Sequence, residues 1–181
     1  MTPRVLVRPA AEDDLEAIAD MLEDFVRGHP AHDHTRSIPR LREAYFGSSP
    51  VARLLVATHD GGVVGMAQWT RVYDMFWAMY GGSIEWLYVR PAVRGLGIAA
   101  AIAAEACRQI RDAGGEFLNG AAEAETTGAL YERVAMSWPA RTCYVSGEGF
   151  QVFADLAGLS PREIVRRLPP PGLSRRPARR R

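Results

Sequence analysis

Apolar and polar positions follow two different periods along the chain, and the points where the period changes mark its elements. "RVLVR" (4–8) alternates as a short strand. "AEDDLEAIADMLEDFVRG" (11–28) changes to a helical period that puts Leu15, Ile18, Leu22, Phe25 and Val26 on one stripe, with acids gathered at the N-terminal end where a helix dipole favours them. "PRLREAYFG" (39–47) predicts a second, shorter helix closed by Gly47. "RLLVATHDGGVVGMAQWTRV" (53–72) predicts two antiparallel strands joined at Asp60-Gly61-Gly62, and "GGSIEWLYV" (81–89) predicts a third, bounded by Gly81-Gly82 and Pro91. In "GIAAAIAAEACRQIRDAGG" (97–115), Ile98, Ile102, Ala106, Ile110 and Ala113 share a face, and Gly114-Gly115 is the expected stop. "EFLNG" (116–120) then reads as a strand and "ETTGALYERVA" (125–135) as a helix. Strand, helix, strand, helix over 82–136 implies a crossover between two parallel neighbours. Farther on, "TCYVSGEGFQVFADLAG" (142–158) reads as a last strand running into a helix, and "SPREIVRRL" (160–168) carries the Ser160 and Glu163 spacing of a capping box.

Composition narrows the class. A chain of 181 residues, 48% hydrophobic and 24% charged, suits one globular domain, here 1–168, followed by a Pro/Arg-rich tail, 169–181, with little to bury. No apolar run has membrane-spanning length, and "MTPRVLVRPAAEDD" turns acidic before any signal-peptide core, so the expectation is a cytoplasmic chain with no membrane partner. Cys107 and Cys143 stand far apart in unlike contexts, which predicts buried, inert thiols. "HPAHDH" offers His29, His32 and His34 with Asp33 but no matching distal ligand, so no metal site is expected. Every one of the 22 basic residues is Arg, and seven of them follow residue 165, where no acid occurs; the body before the tail is therefore acidic. The tail's charge lacks the aromatic interleaving of a nucleic-acid interface, and nucleic acid is not the expected partner.

One stretch carries chemistry. "VRPAVRGLGIAA" (89–100) places two arginines and two glycines where a strand passes into a helix. Unpaired N–H groups and partial positive charge at a helix start, with no Cβ in the way, suit a phosphate. Arg94-Gly95-Leu96-Gly97-Ile98-Ala99, after an apolar strand and Arg90-Pro91, resembles the acetyl-CoA signature of the GNAT superfamily of N-acetyltransferases, and the likeness extends over residues 4 to about 157. It implies an α/β fold of the α+β type: a mixed central sheet of about six to seven strands flanked by helices, with acetyl-CoA in the cleft after the fourth strand. The resemblance assigns the pyrophosphate to the backbone of Arg94, Gly95, Leu96, Gly97, Ile98 and Ala99. It assigns the pantetheine arm to the strand Leu87, Tyr88 and Val89, with Leu87 and Val89 pairing to it through their backbone.

Amide formation needs a base, because a protonated amine cannot attack a thioester. Glu85 occupies the position where polyamine acetyltransferases, which "SIEWLYV" resembles, carry a proton-relaying glutamate; the alternative is an exposed strand residue. Tyr131 in "GALYERVA" matches the family tyrosine that closes on the cofactor sulfur. The chain departs from the family pattern at Trp86, at Ala124 and at Val134-Ala135-Met136. The aromatics Trp69, Tyr73, Phe76, Trp77 and Tyr80 are expected in an acceptor pocket, in a dimer contact or in the core. The resemblance implies acetyl transfer from acetyl-CoA, in a ternary complex, to a primary amine on a small molecule. The acids between Glu12 and Asp33 favour a cation of polyamine or aminoglycoside type. The alternative acceptor is a protein N-terminus or aminoacyl-tRNA, with the basic tail on nucleic acid.

Overall fold

The computed structural model describes residues 5–27 and 36–120, together with scattered positions between 152 and 167. Two compact units divide the chain, Met1–Ala135 and Met136–Arg181. In the second, Arg167 N–H donates to the Glu163 carbonyl at 3.0 Å, the helical bond expected where the capping-box sequence lies.

The first unit is built on five strands in sequential order. β1 (Leu6–Pro9), β2 (Arg53–His59), β3 (Gly62–Asp74) and β4 (Met79–Val89) form an antiparallel meander, and β5 (Phe117–Gly120) joins β4 in parallel. The helices are α1 (Leu15–Arg27), α2 (Ile38–Phe46) and α3 (Ile98–Asp112). The mixed sheet flanked by helices is the fold class implied by the sequence; the further strands expected beyond residue 120 lie outside the described residues.

Each face of the sheet buries one helical stripe. On one side Ile98, Ile102, Ala106 and Ile110 of α3 pack on Leu55, Ala57, Ala67, Trp69, Ile84 and Val89. On the other, Ile18 and Met21 of α1 pack on Val56, Met66 and Tyr88, with Leu22 and Phe25 beside them. Met21, absent from the expected stripe, is fully buried. The β2–β3 turn holds Asp60 at φ 50° and Gly61 at φ 82°, the paired left-handed conformation that a two-residue hairpin requires.

The second hairpin differs from expectation. The strands do not stop at Val72 and restart at Gly81: β3 runs on to Asp74 and β4 begins at Met79, with Tyr73 opposite Tyr80 and their rings 4.8 Å apart. At the tip, Asp74 Oδ1 accepts from the N–H groups of Phe76 (2.8 Å) and Trp77 (3.0 Å), and Phe76 is 96% exposed. Only Trp69 of these aromatics is core. Cys107 is also a correction: it sits exposed on α3, because the buried stripe passes through Ala106 and leaves the next residue outside. Partial burial nevertheless pushes its thiol pKa up. Cys143 lies outside the described residues.

Candidate active site

The passage from β4 into α3 is made by a single turn, Pro91–Val93, and then Arg94 to Gly97. Gly95 (φ 81°) and Gly97 (φ 77°) take left-handed conformations, and a Cβ built on either would meet nothing within 4 Å. Glycine is therefore required by backbone conformation, and the space beside it is open to a ligand. The α3 ladder begins with Ala101 N–H on the Gly97 carbonyl at 3.0 Å, so the amides of Ile98, Ala99 and Ala100 precede it and have no helical partner. No acid lies in the first turn. Ile98 itself is core and Leu96 is half exposed, so these two residues can serve the site through their backbone.

Arg94 is folded back on its own strand. Its Nε donates to the Val89 carbonyl at 2.9 Å, and its guanidinium lies 5.7 Å from the Tyr88 ring centroid. The outer nitrogens have no hydrogen-bond partner among the described residues. Tyr88 is buried and backs the arginine from below.

Along β4, Arg90 N–H donates to Val64 on β3 at 2.9 Å. By the alternation of an antiparallel ladder, Leu87 and Val89 then turn their N–H and C=O groups to the opposite edge. β5 covers that edge only from Gly81 to Ile84. Beyond Ile84 no described strand pairs with the edge, where Arg94 Nε takes the Val89 carbonyl, and it leads directly to the glycine loop.

Glu85 sits at the bulge where this edge opens. Gln68 pairs with Trp86 but Trp69 with Ile84, so Glu85 is the extra residue on β4. The bulge turns Glu85 and Trp86 to the same face of the sheet, the α1 and α2 side, where alternation alone would separate them. Glu85 is exposed, and Ser83 Oγ donates to its Oε1 at 2.8 Å. The Phe25 ring meets Trp86 edge-on at 5.1 Å and Tyr88 at 6.1 Å, linking the bulge to the residue under Arg94.

Beside Trp86 lies a cavity of about 220 Å³, lined by Ile18, Leu22, Leu41, Leu54, Met66, Tyr45, Gln68 and Trp86. Its polar element is one pair: Tyr45 OH donates to Gln68 Oε1 at 2.6 Å. Burial pushes the Tyr45 phenol above its usual range, so it remains a neutral donor. Neither Tyr45 nor Gln68 stood out in the sequence, since each reads as one polar position on an ordinary half-buried element; Trp86 stood out only as a departure. Of the aromatics singled out there, none lines this cavity, and Trp69 instead borders a larger groove with Arg53, Arg71 and Gln109.

Six acids of the first helical segment are engaged by the chain itself. Arg36 meets Glu16, Asp20 and Glu23 together, Arg42 meets Glu12 at 2.8 Å, and Arg90 meets Asp24 at 3.1 Å. Asp14 is buried, takes two hydrogen bonds from Arg8 (2.6 and 2.9 Å) and one from Ala11 N–H (2.7 Å). The Arg8 guanidinium holds the Asp14 carboxyl below its usual range.

Tyr131, Asp33, His29, His32 and His34 lie outside the described residues. Among the described residues no cluster of three or more His, Cys, Asp or Glu could hold a metal ion, and no helix is long and apolar enough to cross a membrane.

Residues 17–136 match the model of the acetyltransferase (GNAT) family. No curated protein sequence matches the chain. Solved structures share its fold. A transcriptional regulator from Bacillus halodurans C-125 is 24% identical with a TM-score of 0.65, over 80% of this chain and 100% of that one. A ribosomal-protein-alanine N-acetyltransferase from Brucella melitensis biovar Abortus 2308 is 18% identical with a TM-score of 0.64, over 80% and 100%. An aminoglycoside N-acetyltransferase in complex with CoA is 16% identical with a TM-score of 0.64, over 81% and 97%. With a family model spanning most of the meander, the glycine loop and α3, and with the same fold in solved acetyltransferases, the chain belongs to the GNAT family of acetyltransferases.

Proposed function

We propose that the protein transfers the acetyl group of acetyl-CoA to the primary amine of a small molecule, by direct attack with both substrates bound. The observation that carries this is the opening of α3: two glycines in left-handed conformation with free space beside them, three helix-start amides without helical partners, and the outer nitrogens of Arg94 close by. That set of donors fits a pyrophosphate. The edge at Leu87 and Val89, with no described strand paired to it, fits an extended amide-containing arm that adds as a strand. The aminoglycoside acetyltransferase with this fold was solved with CoA, which supports the same donor here. When bound, acetyl-CoA supplies a thioester carbonyl open to an amine.

The chain's own groups then manage protons. The acceptor arrives as an ammonium ion, and Glu85 takes its proton directly or through water, using the oxygen not bonded to Ser83. The freed nitrogen lone pair forms the new C–N bond as the C–S bond breaks, and the nitrogen then gives up its second proton to water. Tyr131, whose place the resemblance implies, supplies the proton that the leaving sulfur needs. A small-molecule acceptor is supported by the aminoglycoside acetyltransferase neighbour, while the ribosomal-protein-alanine acetyltransferase neighbour supports a peptide N-terminus as the second acceptor to assay.

Calorimetric titration of acetyl-CoA into the full chain tests the loop. Gly97→Val should weaken binding about tenfold or more, because a β-branched residue cannot hold φ 77° and its methyls fill the open space, with Arg94→Ala weakening it less since backbone donors remain. Equal affinity in wild type and a folded Gly97→Val protein would remove the basis for the proposal.

A further inference from the structure

We infer that the acceptor of this site is a primary amine carried on an uncharged, ring-sized apolar body lodged in the cavity between α1, α2 and the sheet; the inference rests on the acetyl-transfer reading above. The cavity is placed for it. The bulge that exposes Glu85 also turns Trp86 onto the same face, so a group held against Trp86 lies beside the residue proposed to take the amine proton.

The lining sets the chemistry of the body. Ile18, Leu22, Leu41, Leu54 and Met66 offer no counter-charge, and a second or third ammonium placed among them would lose its hydration without a partner. Five of the acids that could have drawn a polycation are turned to other use: Glu16, Asp20 and Glu23 converge on Arg36, and Glu12 and Asp24 pair with Arg42 and Arg90. Size fits a ring. An apolar cavity of about 150 Å³ accommodates benzene, and about 220 Å³ leaves room for a short linker to the amine.

One polar feature refines this. Gln68 accepts from Tyr45 through Oε1, and its amide N–H groups have no partner among the described residues. A ring bearing a hydrogen-bond acceptor such as an ether, hydroxyl or carbonyl oxygen would satisfy them. Gln68 is half-buried, and a ligand that left its donors unpaired there would lose more than one short of a methylene.

The test uses the full-length chain, with acetyl transfer read as free CoA thiol, on 2-phenylethylamine, its 4-methoxy derivative, spermidine, kanamycin and an alanine-initiated peptide. Binding of 2-phenylethylamine without acetyl-CoA is read separately by saturation-transfer NMR. The ring amines should exceed spermidine and kanamycin in kcat/KM by about tenfold or more. Leu41→Trp, which narrows the cavity, should raise KM for the ring amines about tenfold and abolish the NMR signal, while acetyl-CoA affinity by calorimetry stays unchanged. Leu22→Phe is the smaller variant should Leu41→Trp fail to fold, with the same expected direction. Spermidine, kanamycin or the peptide as best acceptor would overturn the inference, as would a ring-amine NMR signal that persists in both folded variants. Absence of acetyl-CoA binding by calorimetry would instead overturn the acetyl-transfer reading, and the NMR arm still reports on the cavity.

Discussion

At Glu85 one carboxylate oxygen is committed and one is open. Ser83 Oγ holds Oε1 at 2.8 Å, which fixes the side chain and leaves Oε2 for a proton. Asp14 illustrates the opposite arrangement: both oxygens are taken by Arg8 and one also by the Ala11 amide, so it stays ionised and tethers β1 to the start of α1. A base must present an open oxygen to the substrate, and of these two carboxylates only the exposed Glu85 does. Glu85→Gln should therefore lower turnover at neutral pH by about a hundredfold, the lower end of general-base effects. Because a larger fraction of the amine is unprotonated as pH rises toward the amine's own pKa, the deficit should shrink steadily with pH. Turnover measured from neutral to alkaline pH checks this, and equal rates throughout would transfer the role to another group. Glu85 was legible as a candidate from its place in "SIEWLYV"; that Trp86 would share its face was not, because a bulge leaves no mark in side-chain alternation until the partner strand is known.

Between elements, α3 packs on β4 at Gly82 with no space for a side chain. A Cβ on Gly82 would lie 2.3 Å from Cδ1 and 2.7 Å from Cγ1 of Ile110, a buried side chain on the inner stripe of α3. Gly82→Val should then cost about 1–3 kcal/mol of stability, as overpacking does, with part of it recovered by Ile110→Ala in the same chain. Denaturant unfolding of the two single variants and the double variant measures this; an unshifted midpoint in Gly82→Val would contradict the packing. The same glycine explains the displaced strand boundary. Gly81-Gly82 reads as punctuation in one dimension, yet both residues pair within the ladder, opposite Val72 and Arg71, and are small because Phe117 and Ile110 press on them. With no break at the glycines, the hairpin continues to Asp74 and Met79 and carries its aromatics away from the cavity.

Over the whole molecule, charge behaves differently from its composition. Acids outnumber bases before the tail, and a count of them points to an attractive field for cations. Folding brings Arg36, sixteen residues beyond Asp20, onto three carboxylates of α1 at once. Arg36→Gln should release that face and lower KM for spermidine at low ionic strength, an effect that added salt screens away. Spermidine kinetics at low and high salt decide it, and a KM indifferent to the substitution would show that the three carboxylates do not face the acceptor route. What the sequence by itself determined is local and periodic: the α1 and α3 stripes, the Asp60-Gly61 turn, the parallel return to β5 and the glycine-marked start of α3, each set by neighbours within a few residues. What only the tertiary structure decided is convergent. The cavity drawn from α1, α2, β2, β3 and β4, the shared face of Glu85 and Trp86, and the capture of α1's acids by Arg36 all depend on groups far apart in the chain. Their meeting depends on register and packing, which no local pattern encodes.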